Sequence, residues 1–351
     1  MAYTDIDNPE LYHQTKIYTG NGNDDRDIVF DVTDTSMEPN MLWSARRDSG
    51  DNISLYDSVR GDGKEFRTAE SAGEYDRSDN IQALNSNGFQ VGTDSQVNAN
   101  SGTYVSWAWK AGTAFSNDAS ATGVGSVDTA GTINTTAGIS LMGYTGVSGE
   151  QTIAHGLSAV PKFIMVKNRD SSENWRVYHH SIGAGAYLKL NTTDAKTDDT
   201  GPFSNTTPTS TLVTMGGDDG TMHASEALIA YIFAEKQGYS KFGKYIGNGN
   251  ADGPFVYTGF KPAWVLQKNI SATQGWQLQD NKREGYNGDN DLLQPHTASA
   301  ESGVNRIDLL SNGFKVITTD AGQNSSGAIY VYAAFAENPF VNSNGVPGNA
   351  E

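Results

Sequence analysis

A proline, a short apolar run and a Lys-Asn pair occur twice in this chain, with a looser third copy upstream. The copies are Pro262-Ala-Trp-Val-Leu-Gln-Lys-Asn269, Pro161-Lys-Phe-Ile-Met-Val-Lys-Asn168 and Pro39-Asn-Met-Leu-Trp-Ser-Ala-Arg46. Trp175 follows Pro161 at the spacing by which Trp276 follows Pro262, and Ile53 holds that place after Pro39. The next matched positions are Asp57, His179 and Asp280, and two copies continue to Arg60 and Arg283 as Asp-x-x-Arg. Ser-Asn-Gly-Phe recurs at residues 86–89 and 311–314. Three diverged copies of one domain-sized unit account for this register, and one fold must then serve three times.

Each apolar run is short and opens on a proline, which fits the start of a strand. The closing segment Thr103-Tyr-Val-Ser-Trp-Ala-Trp-Lys110 alternates with period two, which predicts a strand with one buried face. Its counterparts are Ala227-Leu-Ile-Ala-Tyr-Ile-Phe-Ala-Glu235 and Ile329-Tyr-Val-Tyr-Ala-Ala-Phe-Ala-Glu337. Asn-Gly steps and 39 glycines supply turns, and no long helical period appears. The fold class is therefore all-β, as three tandem β-sandwich, jelly-roll-like repeats. The expected divisions are an arm over 1–16, repeats over 17–110, 138–238 and 239–340, and a tail over 341–351. The arm aromatics Tyr3 and Tyr12 are expected to dock on the body. Residues 111–137 are almost all small and polar, and predict a flexible linker.

The chain carries 24 Lys plus Arg against 41 Asp plus Glu, a formal charge of -17. That excludes the cationic footprint of a nucleic-acid binder and of an anionic-membrane binder. No run approaches membrane-spanning length. With 0 cysteines there is no disulfide, thiolate nucleophile or cysteine-ligated zinc. Met1-Ala-Tyr-Thr-Asp-Ile-Asp-Asn8 has neither the basic nor the apolar region of a signal peptide.

Catalytic and metal motifs are not found. The histidines are His13, His155, His179, His180, His223 and His296; adjacent His179 and His180 point to opposite faces of a strand and do not clamp one metal. Asp24-Asp25 and Gly288-Asp-Asn-Asp291 lack the spacing of a helix-loop-helix calcium site and read as solvated loops. Asp57 with Arg60, and Asp280 with Arg283, read as ion pairs pinning a turn, with a carboxylate or sugar contact as the alternative. Trp43, Trp107, Trp109, Trp175, Trp264 and Trp276 lie in expected strands and read as core. Aromatics outside strands are the candidate partner contacts: Tyr75, Phe203 and Tyr286 first, then Phe115 and Phe340. Function is expected where the copies differ, in loops 61–80, 194–210 and 284–304.

The pattern of proline, apolar strand and Lys-Asn, then Ser-Asn-Gly-Phe-Lys, closing on Tyr-x-Ala-Phe-Ala-Glu-x-Pro-Phe, resembles a known family. It is a domain of unknown function in virion-associated, tail-fibre-like proteins of marine tailed bacteriophages, often present in tandem copies. The resemblance runs from Met1-Ala-Tyr-Thr-Asp-Ile-Asp7 through Gly238-Tyr-Ser-Lys-Phe-Gly243 to Phe340-Val-Asn-Ser-Asn-Gly-Val-Pro347. Copy 1 departs most, with Ser44-Ala-Arg46 in place of Val-Lys-Asn. The resemblance implies a non-enzymatic virion structural protein without a cofactor, made in the host cytoplasm and resident in the phage particle. A tail fibre or tail-tip appendage for host attachment is the leading expectation. A head decoration or cement protein is the alternative, and a polysaccharide depolymerase the third. Expected partners are other virion proteins, further copies of itself, and a host-surface glycan or protein receptor.

Overall fold

The computed structural model describes residues 3–31, 35–283, 287 and 291–348. The first third of the chain forms β1 (His13–Thr19), β2 (Arg26–Val29), β3 (Met41–Arg46), β4 (Ser54–Asp57), β5 (Lys64–Arg67), β6 (Tyr75–Asp76), β7 (Ile81–Asn85), β8 (Gly88–Val91) and β9 (Thr103–Trp109). The middle forms β10 (Thr113–Asn117), β11 (Thr129–Asn134), β12 (Ile139–Thr145), β13 (Gln151–Ala154), β14 (Pro161–Asn168), β15 (Arg176–His179), β16 (Leu212–Met215) and β17 (Ala227–Ala234). The last third forms β18 (Ser240–Ile246), β19 (Phe255–Tyr257), β20 (Phe260–Asn269), β21 (Trp276–Asp280), β22 (Ile307–Leu310), β23 (Gly313–Val316) and β24 (Ile329–Pro339).

The chain is all-β, with several antiparallel sheets, and among the described residues none closes into a barrel. Three large sheets contain the orders β1-β9-β3-β4, β12-β17-β14-β15 and β18-β24-β20-β21. Three small sheets, β2-β8-β7, β13-β16 and β19-β23-β22, accompany them in turn. The prolines sit less uniformly than a strand-start rule predicts. Pro161 opens β14, Pro39 lies two residues ahead of β3, and Pro262 falls inside β20 at a register shift, where an irregular ladder tolerates its missing N–H.

The closing strands are buried on both faces, not one. On β9, Val105, Trp107 and Trp109 face a central core while Ala108 joins a separate outer cluster with Ile28 and Phe89 of the first small sheet. β17 repeats this, with Ile229, Tyr231 and Phe233 inward and Leu228, Ala230 and Ile232 outward. The inward faces of all three large sheets meet in that one central core. At its middle Trp109 and Trp264 rings lie 5.4 Å apart, Trp109 and Phe335 5.5 Å, Phe233 and Phe335 5.7 Å, and Phe163 and Phe242 5.7 Å. Truncating one such aromatic to alanine costs about 3–5 kcal/mol, so the three sheets are strongly bound to each other.

Residues 111–137 are not a flexible linker. They form β10, a helical turn at Ala119–Thr122 and β11, and they extend the second large sheet along β12. At one position smallness has a packing cause: a Cβ on Gly131 would lie 1.8 Å from the Leu141 carbonyl oxygen. The covered strand β12 carries no charge. The counterpart edges do, with Lys16 on β1 and Lys241 and Lys244 on β18, and lysine on an edge discourages further strand pairing.

The arm docks on the body. Ile6 enters the central core, Thr4 Oγ1 donates to the Gln237 carbonyl at 2.7 Å, and the Ser343 N–H donates to Asp7 at 2.6 Å. The beginning of the chain is thereby tied to its end.

Candidate functional site

The residues singled out by the repeats gather at the seams where one large sheet meets the next. At the seam of the third and first sheets, Asp280 ends β21 with its carboxylate buried. It accepts from Trp107 Nε1 at 2.9 Å, Arg283 Nε at 2.6 Å and the backbone N–H groups of Lys282 and Arg283 at 2.9 and 3.1 Å. Arg283 continues to Glu301 at 2.9 Å, and Glu301 also accepts from Arg47 Nε at 2.9 Å. Burial acts to raise the Asp280 carboxyl, but the adjoining Arg283 guanidinium outweighs it and holds it below the usual carboxylate range.

The seam of the first and second sheets repeats the plan. Asp57 Oδ2 accepts from the Tyr231 hydroxyl at 2.6 Å and from Arg60 Nε at 2.6 Å. Arg60 approaches Glu74 at 3.5 Å, and Glu74 accepts from Arg169 Nε at 3.0 Å. In both seams the loop backbone adds a bond: Glu301 N–H to the Arg47 carbonyl at 2.9 Å, and Glu74 N–H to the Arg169 carbonyl at 2.7 Å.

At the seam of the second and third sheets the place of the Asp-Arg pair is neutral. His179 stands where the others have Asp, and Ile182 where they have Arg. The Ser181 N–H donates to His179 Nδ1 at 3.1 Å, so the proton sits on Nε2 and is donated to the Tyr332 carbonyl at 3.1 Å. Ala333 occupies the place of Trp107 and Tyr231, which leaves the backbone as the acceptor within reach. Burial lowers the His179 pKa to about 3. Here too a loop N–H crosses the seam, from Lys196 to the Ile270 carbonyl at 3.3 Å.

The Lys of each Lys-Asn pair is also a clasp. Lys167 is fully buried and donates to the carbonyls of Ser71 at 2.9 Å, Glu173 at 2.9 Å and Asn168 at 3.2 Å. Burial lowers its pKa to about 7, while the three converging carbonyl oxygens hold the amine protonated. Lys268 donates to the Thr193 carbonyl at 3.0 Å and to that of Gln274. Each lysine thus holds a loop of the preceding third of the chain.

Loops 61–80, 194–210 and 284–304 are therefore committed, through Glu74, Lys196 and Glu301, to joining sheets. Tyr75 is half-buried, with its hydroxyl on Glu70 at 2.7 Å and the guanidinium groups of Arg67 and Arg77 at 4.7 and 5.6 Å from its ring. Phe203 is not a surface aromatic: it is 1% exposed and packs against Tyr178 at 5.6 Å, because its loop folds back over the outer face of the second sheet. Tyr286 lies outside the described residues, as do Gly288, Asp289 and Asn290. Phe115 and Phe340 are half-buried. Pro39, Pro161, Pro262, Trp175 and Trp276 are all buried.

Missed in the sequence were Trp107, Tyr231, Glu74, Glu301, Arg47 and Arg169 as seam partners. One signal was available: Arg47 and Arg169 hold the same offset from their prolines. Between β1 and the 281–282 turn lies a cavity of 30 Å³, and His13 Nε2, Thr15 Oγ1 and Asn281 Oδ1 on its lining make no hydrogen bond within the protein. Among the described residues no group of three or more His, Cys, Asp or Glu is arranged to hold a metal ion, and no helix is long and apolar enough to cross a membrane. The charged groups at the seams meet each other and the backbone, so their chemistry is cohesion.

The chain belongs to a family described as a domain of unknown function, DUF7483, whose model matches residues 8–339. No curated protein and no solved structure matches it.

Proposed function

We propose that this chain is a structural protein of a bacteriophage particle, placed in a tail fibre or tail tip and used in attachment to the host surface. The observation that carries the reading is the spending of buried charge on cohesion. Asp57, Arg60, Asp280 and Arg283 lie inside the seams, where they fasten three sheets around one core and face no open cleft. A body locked in this way suits a load-bearing part. The threefold strand order supports reading the chain as three tandem sandwich units, each a large sheet with its small companion. Partners in this reading are other virion proteins, further copies of the chain and a host receptor.

The shared core also favours a second reading, a head decoration or cement protein, because the three units bunch together instead of stringing out into a shaft. Immunogold labelling of intact particles tests both. Label confined to the tail, at a few copies per particle, supports the appendage. Label over the head, at hundreds of copies, supports the cement protein, and label on neither ends both. New reducing ends from host capsule incubated with the purified chain would replace them with a depolymerase.

A further inference from the structure

The small sheets differ most on their outer faces. In the third, Phe255 and Tyr257 alternate with buried Val256 on β19, and they stay 47% and 52% exposed. Strand pairing puts Asp27 and Val29 at the matching places of the first small sheet, opposite Gln90 and Gly88 as Phe255 and Tyr257 stand opposite Lys315 and Gly313. There Asp27 is polar and takes hydrogen bonds from Asn85 at 2.9 Å and Gln90 at 3.3 Å. On the second, the Thr152 N–H bonds Ser126 Oγ at 2.8 Å, so the edge of that strand is paired with the 111–137 segment. Among the described residues of the three small sheets, the third alone presents two aromatic rings to solvent.

Both rings are held in place. Phe255 lies over Gly313, where an added Cβ would come within 3.0 Å of its Cζ. The Tyr3 hydroxyl donates to the Gly259 carbonyl at 2.8 Å, which leaves Tyr257 to donate to Tyr3 at 3.2 Å. Side chains two apart on a strand stand about 6–7 Å apart on one face, a spacing that two neighbouring sugar rings can follow. Beside them Lys315 pairs with Asp252, whose side chain is 83% exposed, and so offers a donor and an acceptor to a vicinal diol.

We propose that this face of β19 binds a neutral glycan by stacking sugar rings on Phe255 and Tyr257. The idea rests on the reading of the chain as a host-surface attachment protein and gives the class of its receptor. Area decides against a protein partner. An aromatic side chain carries about 150–250 Å², so two half-exposed rings offer about 200 Å², far short of the roughly 800 Å² per partner of a stable protein interface. Charge decides against an acidic glycan, because the chain carries -17.

Native electrophoresis of the full chain through gels containing laminarin, xylan or mannan tests this, with alginate as the anionic control. Retardation is expected in at least one neutral gel and not in alginate. Phe255→Ala and Tyr257→Ala should each weaken it tenfold or more, while Val29→Ala on the first small sheet leaves it unchanged. An unaltered unfolding midpoint checks that the variants fold. No retardation in any neutral gel, retardation indifferent to both ring variants, or equal loss in Val29→Ala overturns the proposal. A change of sedimentation coefficient in the ring variants also overturns it, since the face would then join copies of the chain. Failure of immunogold labelling leaves this binding result intact, so the two readings fail separately.

Discussion

The first sheet meets its neighbours through buried Asp-Arg pairs, whereas the second and third have a neutral histidine at the same place, beside the Lys268 clasp. The geometry is otherwise shared. In each seam the residue closing the fourth strand reaches the last strand of the adjacent sheet, and in each a loop N–H bonds a carbonyl after the repeated apolar run. What differs is the donor. Trp107 and Tyr231 present side-chain donors, and opposite them stand carboxylates; Ala333 presents none, and opposite it a histidine supplies the proton. A seam can therefore change its chemistry while keeping its shape, provided that donor and acceptor exchange together.

Breaking the charged seam should cost most. Asp280→Ala leaves the Arg283 guanidinium, 0% exposed, without its main partner; loss of one member of a buried pair costs about 3–5 kcal/mol. Urea unfolding against wild type measures this, and a cost under 1 kcal/mol would show that Glu301 alone satisfies Arg283.

Acid should separate the two kinds of seam. The His179 pKa is lowered from 6.5 to about 3 in the fold, so the unfolded chain binds the proton more readily between those values. Its contribution is complete above pH 6.5 and is lost as pH falls toward 3. At about 1.4 kcal/mol per unit this is about 2–3 kcal/mol by pH 4.5. His179→Gln keeps an N–H for the Tyr332 carbonyl and cannot titrate, so its stability should fall less between pH 6.5 and 4.5. His13, His155 and His296, each lowered to about 4 by burial, retain their own slope in that variant. Asp280 acts lower. Its folded pKa lies below 3.8, so its share is present above that value and lost beneath it.

Converting one seam into the other sharpens the comparison. His179→Asp places a carboxylate against the Tyr332 carbonyl and should destabilise; adding Ile182→Arg should return about 0.5–3 kcal/mol, the range of coupling between touching residues. Additive effects in that double-mutant cycle would show that the Asp-Arg pair needs Trp107 or Tyr231 as well. The smallest effect is expected at the rim: Arg169→Met removes a partly exposed contact to Glu74, worth about 0.2–1 kcal/mol and weakening with added salt.

The errors of sequence reading have physical causes. Phe203 stands among Gly, Ser, Thr and Pro and reads as a surface residue, but strand periodicity says nothing about a loop that folds back on its own sheet. The 111–137 stretch has the composition of a tether yet pairs as strands, and composition alone does not show the backbone ladder that β11 makes with β12. Trp107 and Trp109 were legible as core, since alternation is local; the burial of their strand's other face was not, since it depends on a second layer.

The strands, their turns and the Asp-Arg pairs were determined by the order of residues, because period two and short-range spacing act within a few positions of the chain. Which sheet each buried face meets was decided only in three dimensions. Trp107 and Asp280 are separated by 173 residues, Asp57 and Tyr231 by 174, and His179 and Tyr332 by 153. Their pairing follows from packing three apolar faces into one core, a choice that local spacing does not encode.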